Sequence, residues 1–256
     1  MAELIDLKGD FDKGNKFLLE TSEFLAGSLD DSYRVVVKYD LGPLDIPNDD
    51  KKNIVFALSR EVHLPPKDIH DPRVHYIFHN YPELDMWGYP TEISKVFPVP
   101  IGTFLDDDDS INIKTILERE YDFVFKVVYT DGFARGLKGK EYLELLANSK
   151  LCLCPTGATS EETFRFFEAL KMGCFPVLER LPKFWYYLNA PFFTGKWEFL
   201  DHTINQTLNF LHNPKNKAVF MSLARYNMTV LDPKHLSLIL KSKIDEFDTT
   251  KLQDPL

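Results

Sequence analysis

The chain has 256 residues, 44% hydrophobic and 27% charged, an ordinary globular composition that excludes the disordered and fibrous classes. Lys and Arg number 30 against 39 Asp and Glu, for a net charge of -9. Binding to a phosphate backbone draws on a basic face, so nucleic acid is excluded as the main partner, whereas a local basic pocket for one diphosphate is not.

The first stretch, MAELIDLKGDFDKGNK, is acidic and lacks the apolar core of a signal peptide. No apolar run approaches the ~20 residues of a membrane span, so no transmembrane segment is expected and the location expected is cytoplasmic. Four β-rich apolar runs then follow in order: Tyr33 to Lys38, Asn53 to Leu58, Val74 to His79 and Lys95 to Val99. Each ends in polar or turn-forming residues. The helices of this half are hard to see, and LGPLDIPNDDKK between the first two runs is too rich in proline for a long helix. Composition turns acidic over LDDDDS, near Ile101 to Ser110, where the two halves of the chain are expected to meet. Strands are predicted again over Tyr121 to Tyr129, Leu151 to Cys154, Phe175 to Leu178 and Pro191 to Thr194. Helices are predicted over Gly139 to Ser149, Glu161 to Met172, His202 to His212 and Asn216 to Val230, with an amphipathic tail from Pro233 to Phe247. Continuous apolar runs alternating with helices imply parallel sheets covered on both faces. The three cysteines, Cys152, Cys154 and Cys174, read as reduced and buried, with Cys152 and Cys154 on one face of a strand.

The most informative segment is NSKLCLCPTGATSEETFRFFEALKMGCFPVLERLP, Asn148 to Pro182. It spells strand, loop, helix, turn, strand. Pro155 stops the first strand and Gly157 allows a tight turn. Thr159 and Glu162 have capping-box spacing, and Glu161 and Glu162 suit a helix N-terminus. Phe164, Phe167 and Leu170 form an apolar stripe, and Glu161, Arg165 and Glu168 a polar one. Gly173 ends the helix. The open amides of such a helix start can hold a phosphate, at the carboxyl ends of the strands where α/β folds bind ligands.

Two stretches, SKLCLCPTG and SEETFRFFEALKMGCFPVL, carry a resemblance to the exostosin-like glycosyltransferases and, more distantly, to the wider GT-B class. It extends over roughly Tyr142 to Leu200, including LNAPFFTGKWEFL, and is vague in the first half. The resemblance implies an α/β chain of GT-B type, with two Rossmann-like domains whose parallel sheets face a central cleft. Residues 1–105 would form the acceptor-binding domain. Residues 106–256 would form the nucleotide-sugar-binding domain, its C-terminal helices packing across the junction. By the same comparison Glu168 would bind the donor ribose. Arg165, with Thr156, Gly157, Thr159, Ser160 and Glu161, would face the diphosphate, and Arg135 and Lys138 would add positive charge there. The reaction implied is inverting transfer from a nucleoside diphosphate sugar to a sugar hydroxyl of a glycan. UDP-xylose, UDP-glucuronate and UDP-GlcNAc are among the donors in the family's range, and no cofactor is required.

The general base must come from the first half. Asp40, Glu61, His63, His79 and Asp85 all fall near predicted strand ends, and Asp40 and Glu61 are the residues selected. Asp106 to Asp109 offers an alternative, a metal-dependent GT-A transferase holding Mn2+ or Mg2+ on the donor diphosphate. Pro98, Pro100 and Gly102 interrupt the preceding run, so the acidic residues read instead as a solvated linker. A non-catalytic nucleotide- or carbohydrate-binding protein is a further alternative, because fold analogy does not separate it from an enzyme.

Overall fold

The computed structural model describes residues 1–7, 16–39, 44–58, 70–80, 95–103, 110–124, 137, 139–156, 162–180, 184–188 and 190–253. The chain divides into two compact units, one of residues 1–101 with 232–256 and one of residues 102–231. Each is mixed α/β and built on its own parallel sheet.

The first unit has five strands in the order β1-β2-β3-β4-β5. They are β1 (Glu3–Leu7), β2 (Tyr33–Lys38), β3 (Lys52–Ala57), β4 (Val74–His79) and β5 (Val96–Pro98). All pairings are parallel. Val35, Val36, Val37, Ile54 and Phe56 are almost entirely buried, as expected where a parallel sheet is covered on both faces. Two elements absent from the sequence reading complete the unit. Strand β1 is an edge strand with mostly exposed side chains. Helix α1 (Lys16–Ser28) buries Phe17, Leu18, Thr21, Ser22, Leu25 and Ala26, a stripe at helical period. Its buried hydroxyls bond back to the preceding turn, Thr21 to the Phe17 carbonyl at 2.8 Å and Ser22 to that of Leu19 at 2.7 Å.

The C-terminal helix of the chain, α6 (Pro233–Gln253), belongs to this unit and packs along α1. Its Phe247 meets the rings of His75 and Tyr76 edge-on. The next residue, Asp248, gathers three donors from the amino-terminal ends of the strands. It accepts hydrogen bonds from Tyr33, from Lys52 at 2.8 Å, and pairs with His75 Nε2 at 2.5 Å.

Partial burial acts to raise the Asp248 pKa, but its bonds to Lys52, Tyr33 and His75 outweigh that and hold it down to about 2. The folded value is below the unfolded one of about 3.9. Asp248 therefore stabilises the unit above pH ~4, and that contribution is lost as pH falls from about 4 to 2. Allowing for solvent screening, it amounts to about 1–2 kcal/mol. Asp248→Asn is expected to lower the urea midpoint at pH 7 and to converge with wild type near pH 2. A constant gap between the two proteins from pH 7 to pH 2 would contradict this.

The second unit has four parallel strands in the order β6-β7-β8-β9. They are β6 (Tyr121–Val124), β7 (Ser149–Cys154), β8 (Phe175–Leu178) and β9 (Phe193–Thr194). Helix α2 (Gly139–Ala147) precedes β7, and α3 (Phe164–Lys171) joins β7 to β8. Helices α4 (Leu200–His212) and α5 (Lys217–Thr229) follow β9. No helix among the described residues is long and apolar enough to cross a membrane.

Candidate functional site

The segment singled out in the sequence folds as strand β7, helix α3 and strand β8. Leu151, Cys152, Leu153 and Cys154 are all buried, so this strand is covered on both faces, and it ends against Pro155. The three cysteines are free and buried. Cys152 and Cys154 lie on one face with sulfurs 3.9 Å apart. Burial pushes the Cys154 and Cys174 thiols well above their usual range, which makes them inert apolar fill.

The helix starts later than its sequence suggests. Its first residue is Phe164, and Thr163 at the N-cap makes no side-chain capping bond. Glu162 is not a capping residue either: only 1% exposed, its carboxylate accepts the Tyr186 hydroxyl at 2.7 Å. Tyr226 lies close enough for that carboxylate to help burial raise its pKa. With Thr163 at the N-cap, Glu162 precedes the helix, and its carboxylate is engaged in tertiary pairing with Tyr186.

Burial also departs from the two-stripe pattern. Phe166, Phe167, Glu168, Ala169 and Leu170 are all buried, and Glu168 is only 5% exposed. Arg165 is half-buried. Both act electrostatically on Tyr142 of α2, whose hydroxyl pKa is driven far up by burial, then by Cys152, Glu168 and Cys154, with Arg165 opposing. Tyr142, Arg165, Glu168 and the end of β7 are thus one neighbourhood. Thr156, at the end of that strand, is exposed.

The exit of α3 is a Schellman turn. Gly173 donates to the Leu170 carbonyl at 2.9 Å and Cys174 to that of Ala169 at 2.8 Å, with Gly173 at φ 68°. This is the left-handed residue the motif requires. Arg119, 4% exposed, is clamped beside it. Its guanidinium donates to the carbonyls of Ser149 and Met172 at 2.8 Å, and of Leu146 and Lys114 at 3.2 Å. Burial lowers its pKa, with Cys174 opposing. It has no carboxylate partner among the described residues. No motif or spacing in the sequence marks Arg119. Its only signal was a basic residue just before a buried strand.

In the first unit the strand register sets Lys38, Ala57, His79 and Pro98 side by side at the carboxyl ends of β2 to β5. Lys38 and His79 are 2% and 4% exposed, with the small Ala57 between them. His79 is one of the candidates for a base in the sequence, whereas Lys38 stands there only as the end of an apolar run. Asp40, Glu61, His63, Asp85, Asp106 to Asp109, Arg135, Lys138, Gly157, Thr159, Ser160 and Glu161 lie outside the described residues. Among the described residues, no three His, Cys, Asp or Glu side chains are placed to hold a metal ion.

A comparison with curated proteins found no match. Residues 136–184 match the family model of the RXYLT1 C-terminal domain, which is related to the exostosin family. The likeness falls on the helix–strand–helix–strand unit that carries Tyr142, Arg165, Glu168 and Gly173, and it is a likeness to an exostosin-related domain.

Proposed function

We propose that the protein is a glycosyltransferase that moves a sugar from a nucleoside diphosphate sugar to a hydroxyl of a glycan acceptor. One observation carries this reading: the match to the RXYLT1 C-terminal domain falls on α2-β7-α3-β8, where α3 buries a carboxylate, Glu168, one turn from its start. Four residues of helix span about 6 Å. A diphosphate at the start of α3 would thus place its nucleoside ribose within reach of Glu168.

In this proposal the second unit binds the donor and the first the acceptor. Arg165, Arg135, Lys138 and the 156–161 segment face the diphosphate, with Thr156, Gly157, Thr159, Ser160 and Glu161 supplying amides and hydroxyls. Asp40 or Glu61 takes the acceptor proton as the acceptor oxygen bonds to the anomeric carbon. The bond from that carbon to the diphosphate oxygen breaks, and the nucleoside diphosphate leaves with the electron pair. The displacement inverts the anomeric centre. Positive side chains and backbone donors offset the charge on the leaving group, with no metal required. UDP-xylose, UDP-glucuronate and UDP-GlcNAc are the donors to test.

Glu168→Gln keeps the shape of the side chain and removes its charge. Hydrogen bonds to a charged group contribute about 1.5–3 kcal/mol. Calorimetry should therefore show roughly ten- to hundredfold weaker UDP binding. EDTA should leave the wild-type affinity unchanged. Wild-type affinity in a well-folded Glu168→Gln protein would remove Glu168 from the site, and affinity abolished by EDTA and restored by Mn2+ would favour the metal-dependent alternative.

A further inference from the structure

Tyr142 occupies the α2 side of the neighbourhood around Glu168, and α2 packs on both α3 and β7. The residue as a whole is partly exposed, yet its hydroxyl oxygen is buried and has no hydrogen-bond partner among the described residues. The groups that act on it are Glu168, Arg165 and the thiols of Cys152 and Cys154. Thiols are weak hydrogen-bonding groups, and the Glu168 carboxylate is close without bonding to it. A phenol buried without a partner costs about 1–3 kcal/mol, which a ligand atom bonded to it would offset.

We propose that the Tyr142 hydroxyl is a ligand-binding group that meets one ribose hydroxyl of the donor nucleotide beside the Glu168 carboxylate. The assignment rests on the donor-site reading above and adds a second protein group to it. A carboxylate only accepts, so it takes the ribose protons. A phenol also donates, so it reaches a ribose oxygen that Glu168 leaves without a donor. Glu168 from α3 and Tyr142 from α2 then hold the sugar ring from two sides, which selects ribonucleotides over their deoxy forms.

The test is Tyr142→Phe, which removes the oxygen and keeps the ring. UDP, 2′-deoxy-UDP and 3′-deoxy-UDP are titrated into wild type and variant by calorimetry. The variant should bind UDP about three- to tenfold more weakly, as for one neutral hydrogen bond. For one of the two deoxynucleotides that penalty should vanish, which identifies the hydroxyl that Tyr142 meets. The variant's Tm should be equal to or above wild type, because no bond within the protein is lost. Equal UDP affinity in wild type and variant overturns the proposal and leaves the donor-site reading standing. So does a penalty that is the same for all three nucleotides. A lowered Tm would mean that the hydroxyl has a partner in the protein itself, and also overturns it. Absence of UDP binding to wild type overturns both this proposal and the reading on which it rests.

Discussion

Replacing Gly173 with alanine is expected to lower the Tm of the second unit by about 10 °C, from a loss of roughly 3 kcal/mol. Two causes act at one atom. The residue sits at φ 68°, where a Cβ meets the following carbonyl at a cost of ~1–2 kcal/mol. That Cβ would also lie 2.6 Å from Arg119 Nη2 and 3.4 Å from Ile113 Cγ2. A side-chain tip can usually swing aside, but this one is held by the Met172 carbonyl at 2.8 Å, while its other guanidinium nitrogens hold Lys114, Leu146 and Ser149. Moving it gives up part of a charge-assisted bond, about 1.5–3 kcal/mol. Scanning calorimetry of Gly173→Ala checks this. A fall of only about 3–7 °C would match the backbone cost alone and show that the guanidinium shifts at almost no cost; a fall of less than ~2 °C would contradict both causes.

Arg119→Met should cost a similar amount, about 3 kcal/mol, by a different route. The carbonyls of Leu146, Ser149 and Met172 lie buried under the guanidinium, and each loses a donor at about 1–3 kcal/mol. Releasing the guanidinium from its own burial returns several kcal/mol, so the net is well below the sum. Arg119→Lys should recover only part of the loss. An ammonium keeps the charge but presents its donors at one point, whereas these carbonyls come from three separate chain segments and match a planar fork. Urea unfolding should rank wild type as the most stable, then Arg119→Lys, then Arg119→Met. The two sites also couple. In the Arg119→Met background the Gly173→Ala penalty should shrink to its backbone part, about 1–2 kcal/mol. A penalty that is the same in both backgrounds would break the link between Gly173 and Arg119.

Much of the architecture was legible in the chain itself. Strands β2, β3, β4, β7 and β8 announce themselves as apolar runs ending in polar residues, because both of their faces are buried and period-2 alternation disappears. Helices α2, α4 and α5 showed their periods, and Gly173 was recognisable as a helix stop. Strand β1 was hidden because it lies at an edge with mostly exposed side chains, and α1 because Thr21 and Ser22 occupy two of its buried positions. Their hydroxyls become acceptable inside only by bonding to the carbonyls of Phe17 and Leu19.

The site divides in the same way. Sequence determined which unit resembles a donor-binding segment, and the order of its strand, helix and glycine turn. Tertiary structure decided what the charged groups around it do. Glu162 has the spacing of a capping residue, but Tyr186, 24 residues further on, claims its carboxylate. Glu168 lies on what periodicity makes a polar stripe, but it is buried in the unit where α2 packs on α3, and its charge acts on Tyr142. Arg119 stands in an unremarkable run, but the ends of α2 and α3 converge on it with their carbonyls. Asp248, in the tail, is fixed by strands whose residues lie up to 215 positions away. Periodicity reports which way a side chain points along its own element. Whether that direction meets solvent, a hydroxyl or a row of carbonyls depends on chain segments far away in sequence, and for a buried charge that partner sets both its energy and its role.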